Sequence, residues 1–309
     1  MKRTTFAIAA IAVVGAVAAV GAVALAACAA YADRGSIPFE ERVQIFEPVQ
    51  RALIAWNGTE EILLLSTDLR ASAPTKVLEV IPLPSEPKVK EGDLQSFKRA
   101  IAIINSRQKQ RARSGRLSTK GLGDAEEPPP PAGEVTFHEK IGAHDISVTH
   151  VLNGAGFIEW VETYLKKQGV ENPKIPDPLK TVVEEYLKEG YKWFVFDVVE
   201  LSDKTRTNDA IQYRFKTKAL YYPLKITRTE SGKTDVELLI LTTRLLSRFP
   251  GLPKERVTLA HTPVTLTQKE LQTINKDMSE LLGRTHGMKL RIWKISGVLS
   301  EFKKDLVAR

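Results

Sequence analysis

The stretch Gln50–Thr67, QRALIAWNGTEEILLLST, carries the clearest local folding instruction in the chain. Two apolar runs flank Asn57-Gly58. That dipeptide accepts positive φ at both central positions of a type I′ turn, so the runs are expected to pair as antiparallel strands over 50–56 and 60–67. Lys76–Ile81, KVLEVI, adds a third strand. Pro82, Pro84 and Pro87 are expected to end it, because proline cannot donate to a strand ladder. Asp93 then offers a helix cap, and Leu94, Phe97, Ile101 and Ile104 recur at helical spacing.

Outward from this block the pattern repeats in kind. Val135–Ile141 and Ile146–Leu152 read as strands. Phe157, Trp160, Val161, Tyr164 and Leu165 define one helical face, and Leu179, Val182, Val183, Tyr186 and Leu187 a second; Gly169 and Gly190 close them in the C′ role. Tyr191–Leu201, Ala210–Thr217, Ala219–Thr227, Val236–Thr242 and Met288–Ser296 read as further strands. Thr267-Gln-Lys-Glu270 is a capping box that opens a helix lined by Leu271, Ile274, Met278, Leu281 and Leu282, with Gly283 at its end. Strands and helices cluster without strict alternation, which points to an α+β fold of mainly antiparallel sheets with packed helices. The tract from Gln108 to Gly133, basic at first and ending in Pro128–Pro131 and Gly133, reads as a disordered linker between two subdomains. The expected organisation is a leader over 1–32, an N-terminal α+β subdomain over 36–107, the linker over 108–133 and a C-terminal α+β domain over 134–309.

The leader is an export signal in form. Lys2 and Arg3 precede an uncharged run from Phe6 to Ala32. Three fates are open. Leu25-Ala26-Ala27-Cys28 resembles the bacterial lipobox, whose cysteine is acylated and becomes the new N-terminus. Ala30-Tyr31-Ala32 has the A-x-A form of an ordinary cleavage site. The run also exceeds the ~20 apolar residues that span a bilayer, so it can remain as an anchor. The lipobox is the preferred reading. Cys28 is the chain's single cysteine, which removes an intramolecular disulfide and a two-cysteine metal site. Each fate places the folded body outside the cytoplasm: cleavage after Ala32 would release it as a soluble protein starting at Asp33, whereas the lipobox and the retained anchor give it a membrane as partner through an N-terminal lipid or helix.

The net charge of +8 is local. Lys98, Arg99, Arg107, Lys109, Arg111, Arg113, Arg116 and Lys120 fall between Leu94 and Gly123, where there is no acid; the other 37 basic residues match the 37 acidic ones. No zinc-finger spacing and no aromatic RNA-binding motif accompanies the tract, which argues against nucleic acid as partner. Lys109, Arg111, Arg113, Arg116 and Lys120 offer contact to anionic lipid headgroups or a cell-wall polymer, although the reading preferred for this tract is a solvated linker kept soluble by charge.

Two stretches together carry a resemblance: LLLSTDLRASAPTKVLEVIPLPSEPKVKEGDLQSFKRA (63–100) and KIGAHDISVTHVLNGAGFIEWVETYLKKQGV with PDPLKTVVEEYLKEGYKWFVFDVV (within 140–199). A strand ends in a P-x-P turn before a capped helix. After the linker come G-x-x-D and an apolar strand, a Trp-containing helix, a second helix, and a glycine-led apolar strand. This pattern, over about residues 50–245, resembles the DUF2330 family of exported bacterial proteins, a domain of unknown function. Members often carry extra cysteines after the signal peptide; this chain has none there beyond Cys28. The resemblance implies export and an α+β fold, and it supplies no catalytic residue.

Catalytic motifs are sparse. His138, His144 and His150 recur every six residues, which in one strand separates neighbours by ~20 Å, too far for shared metal ligation. His261 and His286 stand apart. There is no G-x-S-x-G elbow, no phosphate loop and no dinucleotide fingerprint, and no cofactor is called for. Carboxylates remain: Asp68 beside Arg70, Asp209 after Asn208, and Asp197 within WFVFDVVE. Asp197 interrupts an apolar strand and is the one candidate catalytic residue. Period-two alternation is expected to turn it outward, opposite Phe194 and Phe196. The functional expectation is a membrane-tethered envelope protein with a binding or structural role; the alternative is an envelope hydrolase using paired Asp/Glu.

Overall fold

The computed structural model describes residues 35–40, 45–46, 50–114, 135–141, 144–203, 206–207, 210–230, 232–283 and 287–309. Cys28 and the rest of the leader, Arg116, Lys120, Asp209 and His286 lie outside them. For Asp68, Arg70, Lys109, Arg111, Arg113 and His138 the description covers the backbone alone.

The elements in chain order begin with β1 (Gly35–Pro38), β2 (Ile45–Phe46), β3 (Gln50–Trp56), β4 (Glu60–Ala71), β5 (Thr75–Leu83), β6 (Lys88–Glu91) and α1 (Gln95–Ser114). Next come β7 (Val135–Ile141), β8 (His144–His150), α2 (Gly154–Lys167), α3 (Asp177–Lys188), β9 (Trp193–Leu201), β10 (Arg206–Thr207), β11 (Ile211–Lys216) and β12 (Leu220–Tyr222). The chain closes with β13 (Lys233–Thr242), β14 (Val257–Leu259), β15 (Val264–Thr265), α4 (Gln268–Ile274), α5 (Lys276–Leu282), β16 (Lys289–Val298) and β17 (Leu306–Ala308). The fold is α+β, as the clustering of elements implied.

The hairpin of β3 and β4 forms in register, with Ala55 opposite Ile62 and Leu53 opposite Leu64. Its turn sits one residue later than expected. Asn57 stands before the turn, its side-chain oxygen accepting from the Thr59 and Glu60 amides, and Gly58 takes φ +107° as the first central residue. A side chain there would force an unfavourable left-handed backbone, so glycine is required.

Two large sheets stack. One has the order β1-β5-β9-β8-β7 and is antiparallel throughout. The other runs β14-β16-β13-β3-β4-β11-β6, with β2 and β10 beside β4 and β15 beside β16; its β3–β13 pair is parallel. A two-stranded ribbon joins β12 to β17. Both large sheets take strands from either side of residues 108–133.

Three apolar clusters fix the layering. Ile81, Ile146, Val148 and Val195 of the first sheet meet Ile54, Leu63, Leu238 and Trp293 of the second. The second sheet's far face, with Leu53, Leu64 and Leu239, packs under α1, α4 and α5. The first sheet's far face, with Val80, Phe194 and Phe196, packs under α2 and α3. The order is helices, sheet, sheet, helices, so the central strands are buried on both faces and read as near-continuous apolar runs.

Several boundaries differ from expectation, each for a local reason. β5 continues through Pro82, because β1 pairs it only from Val77 to Val80 and leaves that end without a neighbour on one side. The expected strand Ala219–Thr227 is a three-residue strand followed by a 3-10 turn, Lys225–Thr229; Pro223 intervenes. The expected helix after Thr267 is two helices, broken at Asn275, whose backbone is extended and whose side chain accepts from the Met278 amide to cap α5. α1 runs on to Ser114, into the tract expected to be linker from residue 108; its Arg, Lys and Gln residues are good helix formers. Among the described residues no helix is long and apolar enough to cross a membrane.

Candidate functional site

Asp197 does not face solvent. It is 0% exposed, as is fitting for a strand between two layers, and its side chain lies on the inter-sheet face. The alternation placed it correctly opposite Phe194 and Phe196, but that second face is covered by the other sheet rather than by water. Antiparallel register sets Glu79 of β5 directly across from Asp197 on one side and Ile146 of β8 on the other. Directly opposed residues share a face with Cβ atoms roughly 5 Å apart. His144, one rung further along β8, reaches back so that its Nδ1 lies 2.7 Å from Asp197 Oδ2. His144 is 1% and Glu79 3% exposed. Among the described residues, Asp197 Oδ1 has no hydrogen-bond partner.

The other histidines are dispersed. His150 stacks on Trp193, ring centroids 4.5 Å apart, at the opposite end of β8 from His144. His261 Nδ1 donates to the Thr262 carbonyl at 2.8 Å. Among the described residues no three His, Cys, Asp or Glu side chains are grouped to hold a metal ion.

Another buried carboxylate, on a different part of the fold, escaped sequence reasoning. Asp305 leads into β17 and is enclosed by α3, β12 and the turn Lys225–Thr229. Its Oδ1 accepts from the Tyr186 hydroxyl at 2.6 Å and the Lys225 amide at 2.7 Å; its Oδ2 lies 3.1 Å from the Tyr221 hydroxyl. The Lys225 ammonium, itself buried, sits 3.9 Å from the Tyr186 ring centroid and donates to Glu189 at 2.6 Å. Burial outweighs these donors and raises the Asp305 pKa to about 6. The same burial, with the nearby Asp305 charge, pushes the Tyr186 and Tyr221 hydroxyls well above their ordinary range. In the sequence, KKDLVAR near the chain's end resembles any solvated charged segment, and nothing marks its acid as interior.

Glu61 is a further interior acid. It faces Trp56 and Phe215 across its strand, accepts from the Tyr221 amide at 2.8 Å, and is pushed well above the usual carboxylate range by burial.

Surface depressions lie elsewhere. One of about 620 Å³ is bordered by Phe39, Lys76, Val170, Asn172 and Glu200, and one of about 500 Å³ beside it by Ile37, Leu165, Ile175 and Lys180. A third, of about 640 Å³, lies among Arg99, Lys269, Asn275 and Lys276. Each is open and of mixed charge, and none contains Asp197, Glu79, His144, Glu61 or Asp305.

A family model described as "Uncharacterized protein conserved in bacteria (DUF2330)" matches residues 24–259. No curated protein sequence matches the chain. Among solved structures, the crystal structure of baculovirus P35 is similar with a TM-score of 0.44 at 9% identity, covering 88% of this chain and 99% of that one. A mutated baculovirus P35 after caspase cleavage, at 2.7 Å resolution, gives a TM-score of 0.39 at 9% identity over 85% of this chain and 99% of that one.

Proposed function

The chain belongs to this bacterial family, and from its own residues we propose that it is an exported cell-envelope protein, held at the membrane through Cys28, with a binding or structural rather than catalytic role. One observation carries the reading: a bacterial lipobox form, Leu25-Ala-Ala-Cys28, closes an uncharged leader, and its cysteine is the only one in the chain. The described body starts in β1 at Gly35, seven residues on, which at about 3.5 Å per residue keeps that strand within roughly 25 Å of the attachment point.

The state of the interior acids supports the non-catalytic half of the reading. A general acid or nucleophile must reach its substrate. Asp197, Glu61 and Asp305 are all buried away from the open depressions and are engaged with neighbouring strands. The hydrolase alternative keeps one observation in its favour, the hydrogen-bonded His144–Asp197 pair with Glu79 opposite. That pair ties β8 to β9 beneath the second sheet, which favours a structural role.

Replacing Cys28 by Ser tests the tether. Wild-type chain expressed in a lipidating bacterial host is expected in the membrane fraction with an acyl mass increment, and the variant is expected to lack that increment. If the variant fractionates with membranes at the same mass shift as wild type, lipid attachment at Cys28 is wrong.

A further inference from the structure

We infer that Arg291 forms an interior binding site for a small oxyanion, a carboxylate or a phosphate. Arg291 stands in the middle of β16 opposite Ile240, on the face turned to the other sheet, and is 1% exposed. Its Nη2 donates to Thr242 Oγ1 at 2.9 Å and lies 3.5 Å from the Arg244 carbonyl. Its guanidinium carbon is 5.2 Å from the Trp293 ring centroid. Among the described residues, Nε and Nη1 have no acceptor and no carboxylate pairs with Arg291.

This is a costly arrangement for a protein alone. Burial lowers the Arg291 pKa to about 10, which leaves the side chain cationic at neutral pH. A lysine in that place could shed its proton, whereas a guanidinium keeps its charge. An uncompensated interior cation costs several kcal/mol, and each orphaned N–H adds to that. Trp293 beside the guanidinium, and Phe249 packed on Trp293, supply no anion. An oxyanion meets what remains, because its oxygens accept charge-assisted hydrogen bonds from guanidinium N–H groups.

The test uses the full chain in detergent, titrated calorimetrically with sodium phosphate and separately with sodium formate, sodium chloride holding the ionic strength fixed. At least one is expected to bind at a single site. Its presence is expected to raise the melting temperature by roughly 5 °C over a hundredfold concentration range above the dissociation constant. Arg291→Met is expected to abolish both effects, and Arg291→Lys, which loses the guanidinium donors and can shed its proton there, to weaken binding at least about tenfold. Binding of phosphate alone assigns a phosphoryl ligand, and binding of formate alone a carboxylate. If neither binds wild type, or if wild type and Arg291→Met respond equally, as to a general salt effect, the inference fails. Should Arg291→Met not fold, the wild-type and Arg291→Lys titrations decide it.

Discussion

Asp305 and Asp197 are both fully buried acids in strands or at their ends, yet their surroundings differ. Asp305 meets donors at both oxygens, drawn from α3, the turn after β12, and β12 itself. Asp197 meets one partner, His144, and keeps one oxygen unpaired while a second carboxylate, Glu79, stands across the ladder. The first arrangement is a clasp: it pins the chain's last strand to a helix more than a hundred residues earlier in sequence. The second is a tie between neighbouring strands with a spare acceptor. Buried carboxylates are therefore not one class, and what separates them is how many protein donors each has gathered.

Asp305→Ala should be the most damaging change, because it strands the Tyr186 hydroxyl and the Lys225 amide in the interior. A loss on the order of 3–5 kcal/mol is expected in urea unfolding; a loss below about 1 kcal/mol would erase the distinction drawn between the two acids. The same residue gives the next effect, a dependence on pH. Its pKa is raised from 3.8 to about 6 in the fold, so the folded state holds the proton more tightly than the unfolded chain. Stability is then fully present below about pH 4 and falls as pH rises toward 6, by on the order of 3 kcal/mol, after which this residue adds no further slope. Asp305→Asn should flatten that portion of the stability profile, and an unchanged slope would locate the titration elsewhere. Asp197→Asn should cost less, about 1–3 kcal/mol, since the amide oxygen still accepts from His144 while its NH2 faces the place where Oδ1 has no partner. Equal losses at the two positions would collapse the comparison.

Much of this fold is legible in the sequence wherever the signal is local. Asn57-Gly58 gives the β3–β4 hairpin, Thr267–Glu270 caps α4, and Gly169 and Gly190, both at positive φ, end α2 and α3. What stays hidden depends on distant partners. WFVFDVV is apolar on both parities, a sign that both faces of β9 are covered; reading it as a half-exposed strand assigned Asp197 to solvent. Asn275 looks like a helical residue until its side chain is seen capping α5. Asp305 sits in a stretch as polar as any surface segment, and Arg291 in a strand whose lysines and arginine give no sign of which polar residue turns inward; only tertiary packing drives them inside. The basic tract, by contrast, contributes at its start to an ordinary contact, Arg107 with Glu270 of α4 at 2.6 Å.

An interior whose acids are spent on holding strands and helices together leaves the leader as the part of the chain with the most specific chemistry. The most direct measurement is the mass of the N-terminal peptide from chain extracted from bacterial membranes. The account predicts a peptide that begins at Cys28 and carries acyl chains. A peptide beginning at Asp33, or one retaining Met1 with Cys28 unmodified, would contradict it.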